Sequence, residues 1–139
     1  MDSLRIDAGV IRIAINDDPE RVIEFNPHDI LFAERFYKLL HEFEDREGEF
    51  SAKADELDAV EGDNMGERLV FMREVCEFMR GQIDALFGAG TSQKAFEDAL
   101  SLEMFEQFFS GITPFIRSAR SERLAQYRPK KGSKRVMKG

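Results

Sequence analysis

The chain has no tryptophan, one cysteine, two histidines and four prolines among its 139 residues. Each scarcity excludes something. A lone cysteine, Cys76, leaves the fold without an internal disulfide, which fits a reducing cytoplasm. His28 and His41 stand far apart with no ligand-like arrangement of carboxylates, so the spacing of a zinc helix is missing. No stretch approaches the ~20 apolar residues of a membrane span. No basic segment followed by an apolar run marks a secretory signal near the N-terminus. Gly88-Ala89-Gly90-Thr91-Ser92 lacks the spacing of a dinucleotide loop, and Lys94 follows the hydroxyls where a P-loop lysine would precede them. Gly62-Asp63-Asn64 is too short for a twelve-residue calcium loop.

What the chain does have is phenylalanine, thirteen of them, and charge, 34% of all residues. That composition describes a soluble helical protein with an aromatic interior, and the length suits one domain with a real core. The net charge of −7 hides a division: residues 1–116 carry 26 acidic against 11 basic side chains, and residues 117–139 carry nine basic against one acidic. The tail residues Arg128, Lys130, Lys131, Lys134, Arg135 and Lys138 form a basic patch that nucleic acid, an acidic partner or the acidic body itself would attract.

Read in order, Val10-Ile11-Arg12-Ile13-Ala14-Ile15 alternates with the period of a half-buried strand. Leu4, Ile6 and Ala8 hold the opposite parity, so a bulge is expected at Gly9. Asn16-Asp17-Asp18-Pro19 is turn chemistry, and Val22-Ile23-Glu24-Phe25 returns as a second strand. A lone hairpin is marginal in water, so it must lie on helices or be extended by another chain's strand. Asn26 then reads as a helix cap, Pro27 as the first helical residue, Asp29 as a charge on the helix dipole, and Phe25 with Ile30 as a staple.

The helix so begun carries Phe32, Phe36, Leu39, Leu40 and Phe43 on one face. Beyond that the apolar spacing tightens to sevens at Phe36, Phe43, Phe50 and Leu57, a narrow seam on a charged rod. A continuous helix through Gly48 to Glu61 would run ~50 Å. A loop at 62–66 leads to a second helix bearing Leu69, Met72, Val75, Cys76, Met79, Ile83 and Leu86, which stops near Phe87 before Gly88 and Gly90. Thr91 or Ser92 caps a short turn through Phe96. Ser101 opens a last helix with Phe105, Phe108, Phe109, Ile112, Phe115 and Ile116, which Pro114 should kink or divide.

The expected fold is mainly α (α+β): an N-terminal β-hairpin within 1–25, a long helix and a helical bundle form one domain over 1–127. A disordered basic tail follows over 128–139. Cys76 reads as a small hydrophobe on an apolar stripe. The acidic run Glu42, Glu44, Asp45, Glu47, Glu49 reads as a solvated helix face, with no pocket to perturb its carboxyls. Phe43, Phe50 and Leu57 are the candidate partner-binding residues, because proteins seldom leave such a stripe uncovered. The seam therefore predicts a homo-oligomer or a helical partner. No catalytic, metal or cofactor residue is expected.

Three blocks occur together in a characteristic order. They are Phe25-Asn26-Pro27-His28-Asp29 running into Phe32-Ala33-Glu34-Arg35-Phe36-Tyr37, then Cys76-Glu77-Phe78-Met79-Arg80 through Ile83-Asp84 to Phe87-Gly88-Ala89-Gly90-Thr91-Ser92, then Met104-Phe105-Glu106-Gln107-Phe108-Phe109 to Ile112-Thr113-Pro114-Phe115-Ile116. This order resembles the tail assembly chaperones encoded in tail-gene clusters of long-tailed phages and prophages of Gram-positive bacteria. The resemblance implies a non-catalytic protein of the bacterial cytoplasm, absent from the finished virion, that keeps the tape measure protein soluble until tail-tube subunits assemble around it. It also implies a longer frameshifted form, for which Pro129-Lys130-Lys131 is a candidate slip site. The runner-up expectation is a regulatory protein binding nucleic acid through the basic tail.

Overall fold

Alternating apolar residues pair as expected in Ile11–Ala14 (β1) and Val22–Phe25 (β2), antiparallel with Ile11 opposite Phe25 and Ile13 opposite Ile23. A 3-10 turn at Ile15–Asp17 joins them, with Asn16 and Asp17 at positive φ, a conformation Asn and Asp tolerate best among residues with side chains. Among the described residues four helices follow: Ile30–Asp58 (α1), Met65–Phe87 (α2), Thr91–Phe96 (α3) and Leu102–Tyr127 (α4). This computed structural model describes residues 1–58, 62 and 64–127. The protein is thus mainly helical, with a two-stranded N-terminal hairpin ahead of the helices. Among the described residues, no helix is long and apolar enough to cross a membrane.

The helices close on a phenylalanine interior. Phe36, Phe43, Phe105 and Phe109 are among the largest fully buried side chains. Phe36 meets Phe109 at 5.8 Å between ring centroids, and Phe43 meets Phe109 at 5.2 Å. Phe87, at the end of α2, touches Phe25, Phe32, Phe36 and Phe108. Edge-to-face pairs of this kind add about 0.5–1.5 kcal/mol each beyond the area they bury. The hairpin joins this core through Ile23 and Phe25, both nearly inaccessible to water. That contact supplies the burial a free hairpin lacks.

Three arginines tie the periphery to the core by donating to backbone carbonyls. Arg21, between the turn and β2, donates to the carbonyls of Lys94 and Ala95 in α3 (2.8 and 3.0 Å). Arg80 of α2 donates to the Ala99 carbonyl (3.1 Å). Arg120 of α4 donates to the carbonyls of Pro27 and His28 (3.2 and 2.6 Å).

The last of these explains a departure from the sequence reading. α1 starts at Ile30, not Pro27, and Asp29 is the cap: its carboxylate accepts the Leu31 N–H and its carbonyl accepts that of Ala33 (both 3.0 Å). Asn26 instead closes a turn, its side-chain oxygen accepting the His28 N–H (3.0 Å). A helix beginning at Pro27 would need the Pro27 and His28 carbonyls for its own first turn, and Arg120 takes them. The expected staple fails with it. Ile30 is 70% exposed, and Phe25 stacks on Phe32 at 5.7 Å.

Other expectations separate in the same way. α1 passes through Gly48 unbroken, so the long helix stands, at 29 residues up to Asp58, or about 43 Å. Residues 59–61 lie outside the described residues. Gly9 is no bulge, because β1 begins after it and residues 1–10 join no sheet. Gly9 is needed for its φ of +84° and because an added Cβ would lie 2.7 Å from the His28 ring. Pro114 does not divide α4. Pro114 and Ser110, whose carbonyl loses its amide partner, are both exposed, so the break in the hydrogen-bond ladder falls on the solvent side of the helix.

Candidate functional site

The predicted seam on α1 does not share one environment. Phe43 is 2% exposed and lies against Phe105 and Phe109 of the same chain. It is a core residue of the monomer and stands open to no partner, because α4 folds back along this part of α1. Phe50, one heptad further, is only half-buried. It stacks on Phe71 of α2, rings 6.0 Å apart and 5° from parallel. Leu57 falls within α1, but its side chain lies outside the described residues. From Gly48 to Lys53, Phe50 is the one shielded side chain.

The facing stretch of α2 shows the same thinning. No residue between Met65 and Glu74 is buried, whereas Val75, Cys76, Met79 and Ile83 all are. Met65, Leu69 and Val70 are exposed at 54%, 56% and 46%. The sequence reading placed Leu69 on the core stripe. Its helical phase is right, but the stripe outruns the third helix that would cover it. α1 and α2 therefore project together beyond the bundle as a two-helix arm, on which Phe50 and Phe71 are half-buried against each other and Met65, Leu69 and Val70 are exposed. Arg46 at the base lies over the Phe78 ring, 4.6 Å from its centroid, covering the apolar face while its charge stays in water.

A second feature contradicts the expectation of an unperturbed acidic face. Glu47 of α1 meets Glu106 of α4 at a groove of about 430 Å³, which Phe43, Ser110, Thr113 and Arg117 also line. The Glu47 carboxyl is pushed up to about 7, first by burial, then by its hydrogen bond to Glu106 and by the charges of Glu106 and Glu44. The contact brings carboxyls from two helices together. Spacing within α1 gave no sign of it, since the second carboxyl comes from a helix some sixty residues later. The Thr113 hydroxyl is committed to the Phe109 carbonyl (2.6 Å), so the groove presents no activated nucleophile there.

The remaining candidates sit as ordinary structure. Cys76 is buried and its thiol is pushed up by burial and by the Glu77 charge, the reverse of what a reactive thiolate needs. His41 is exposed and 3.1 Å from Glu44. Among the described residues, no group of histidines, cysteines and carboxylates is placed to hold a metal. At Gly88–Ser92 the anion position is filled from within: Asp84 accepts the Ser92 N–H (2.8 Å) and its hydroxyl (3.1 Å) at the start of α3. A carboxylate stands where a phosphate would bind a helix N-terminus. The basic residues Arg128, Lys130, Lys131, Lys134, Arg135 and Lys138, and the slip-site residues 129–131, lie outside the described residues.

Compared with known proteins, residues 20–138 match a family model described as a family of unknown function (DUF6673). No curated protein and no solved structure matches the chain.

Proposed function

We propose that this chain, which belongs to the family of unknown function DUF6673, is a phage tail assembly chaperone that holds the tape measure protein soluble before the tail tube forms around it. The reading rests on the ordered blocks that begin at Phe25, Cys76 and Met104. The observation on the molecule that supports it is the projecting α1–α2 arm, whose apolar residues Met65, Leu69 and Val70 the monomer leaves exposed. Exposed apolar residues beside acidic ones such as Glu49 and Glu67 suit contact with the apolar face of an amphipathic helix. A tape measure protein is a very long helical chain, and its exposed apolar faces would aggregate unless covered. The chaperone acts in the host cytoplasm, performs no chemistry and leaves before the virion is complete.

The test is co-expression with a tape measure protein from the same genome. The intact chain raises that protein's soluble yield and is recovered with it. Leu69→Glu with Val70→Glu abolishes both effects while the chaperone keeps its own melting temperature. An unchanged soluble yield with the intact chain, together with no complex on pull-down, would overturn the reading. The uneven charge of the sequence favours one other function, binding of nucleic acid through residues 128–138. It predicts salt-dependent retention on DNA or RNA that disappears when residues 128–139 are removed.

A further inference from the structure

The hairpin has one covered edge and one open edge. β2 lies beside α3, to which Arg21 is bonded, whereas among the described residues β1 has only β2 for a neighbour strand. The Ile15 N–H donates to the Arg21 carbonyl (2.8 Å), which fixes the alternation along the pair. Ile11, Ile13 and Ile15 turn their backbone groups to β2, so Arg12 and Ala14 turn theirs to the open edge. Both residues are exposed, and among the described residues no hydrogen bond reaches their backbone from that side. An edge of this kind is a template for one more strand.

The same chain carries a segment suited to it. Leu4 and Ile6 are 84% and 81% exposed in the monomer, alternating with Arg5 and Asp7. Laid antiparallel on β1 with Asp7 opposite Arg12, the arm sets Ile6 opposite Ile13, Ala8 opposite Ile11 and Leu4 opposite Ile15. Every apolar residue then falls on the helix side of the sheet. On the outer face Asp7 extends the ion pair that Arg12 already makes with Glu24 (3.4 Å) into an alternating row. A one-residue slip would bring Leu4, Ile6 and Ala8 to the solvent face, so the register is specific.

The arm's root directs it away from its own β1. The Asn26 side-chain amide donates to the Ala8 carbonyl, the Gly9 N–H donates to Asp7, and Gly9 packs on the His28 ring. Ala8 is thereby held beside Asn26, one step past the Ile11–Phe25 pair, and the chain leaves from the end of the hairpin. We propose that residues 2–8 of one copy add as a strand to the open edge of β1 in a second copy, and reciprocally, giving a two-fold exchanged dimer. Seven extended residues span about 23 Å, more than enough to cover the four residues of β1. This inference stands apart from the tail-assembly reading.

Mixing two single variants of the full chain, Arg5→Cys and Ala14→Cys, tests it. Both positions are exposed and opposite one another in the proposed register, so neither substitution touches the core. Under mild oxidation the mixture forms a disulfide between chains, and light scattering of the unmodified protein gives the mass of a dimer. Removing residues 1–8 halves that mass and leaves the helical circular dichroism unchanged. An unmodified chain with the mass of a monomer would overturn the proposal. So would a dimer that survives removal of the arm, or a disulfide that forms only within the Arg5→Cys/Ala14→Cys double variant and never in the mixture.

Discussion

The two halves of α1 differ in composition and in surroundings: residues 30–43 carry three Phe and four charged side chains, residues 44–58 one Phe and nine charged side chains. In the first half, Phe36 and Phe43 are enclosed by α2 on one side and α4 on the other, and become inaccessible. In the second half Phe50, among the described residues, has only Phe71 of α2 as a ring neighbour, and Gly48, Glu49, Ser51 and Lys53 around it are exposed. One helix thus runs from a three-helix core into a two-helix arm. The difference shows that a heptad stripe reports which face will be apolar, while the lengths of the neighbouring helices decide which part of it is covered. Stability should be concentrated where three elements meet, and recognition where the third is missing.

The largest expected effect lies in the body. Phe36→Ala should cost about 3–5 kcal/mol in urea unfolding, the loss of a fully buried ring plus the cavity it leaves. In the arm, Phe50→Ala should cost about 1 kcal/mol, because the site is half open and collapses around the loss. Equal losses at the two positions would erase the distinction drawn between the regions. Between these values stands Asp84→Ala, at about 1–2 kcal/mol. It removes the acceptor of both the Ser92 N–H and hydroxyl in a partly buried place, and so loosens α3 and the hairpin that Arg21 ties to it.

The Glu47–Glu106 contact marks the boundary of the two regions and titrates. Glu47 has a folded value of about 7 against an ordinary 4.5, so the folded protein holds its proton more tightly than the unfolded chain does. The stability this contributes is present below pH 4.5 and lost as pH rises through about 7. Glu106→Gln removes the like charge, so its melting temperature should fall less than the parent's across that interval. A parallel fall in both proteins would show that the two carboxyls do not interact. The smallest effect belongs to the arm's rim: Leu69→Glu should change stability by less than about 0.5 kcal/mol while abolishing the proposed capture of a tape measure protein.

Much of this was legible in the sequence. The period of two at Ile11, Ile13 and Ile15, the glycines at 88 and 90, and the helical spacing on either side of them located the hairpin and α2 closely. What local patterns could not show came from distant partners. Arg120 moved the start of α1 by taking two carbonyls ninety residues away. Phe109 turned Phe43 from an expected interface residue into core. Burial, and then Glu106 from another helix, raised the pKa of Glu47. In each case the residue types were read correctly, and the missing information was which helix end lay opposite them.

Native-state amide hydrogen exchange along α1 tests the central division most directly, since it reads the local opening free energy residue by residue. Amides from Phe36 to Glu47 should exchange only on global unfolding of the body, and those from Glu49 to Asp58 far faster, with the change falling within about two turns of Gly48. Uniform protection from Phe36 to Asp58 would mean that the arm is as firmly held as the body, contradicting the account.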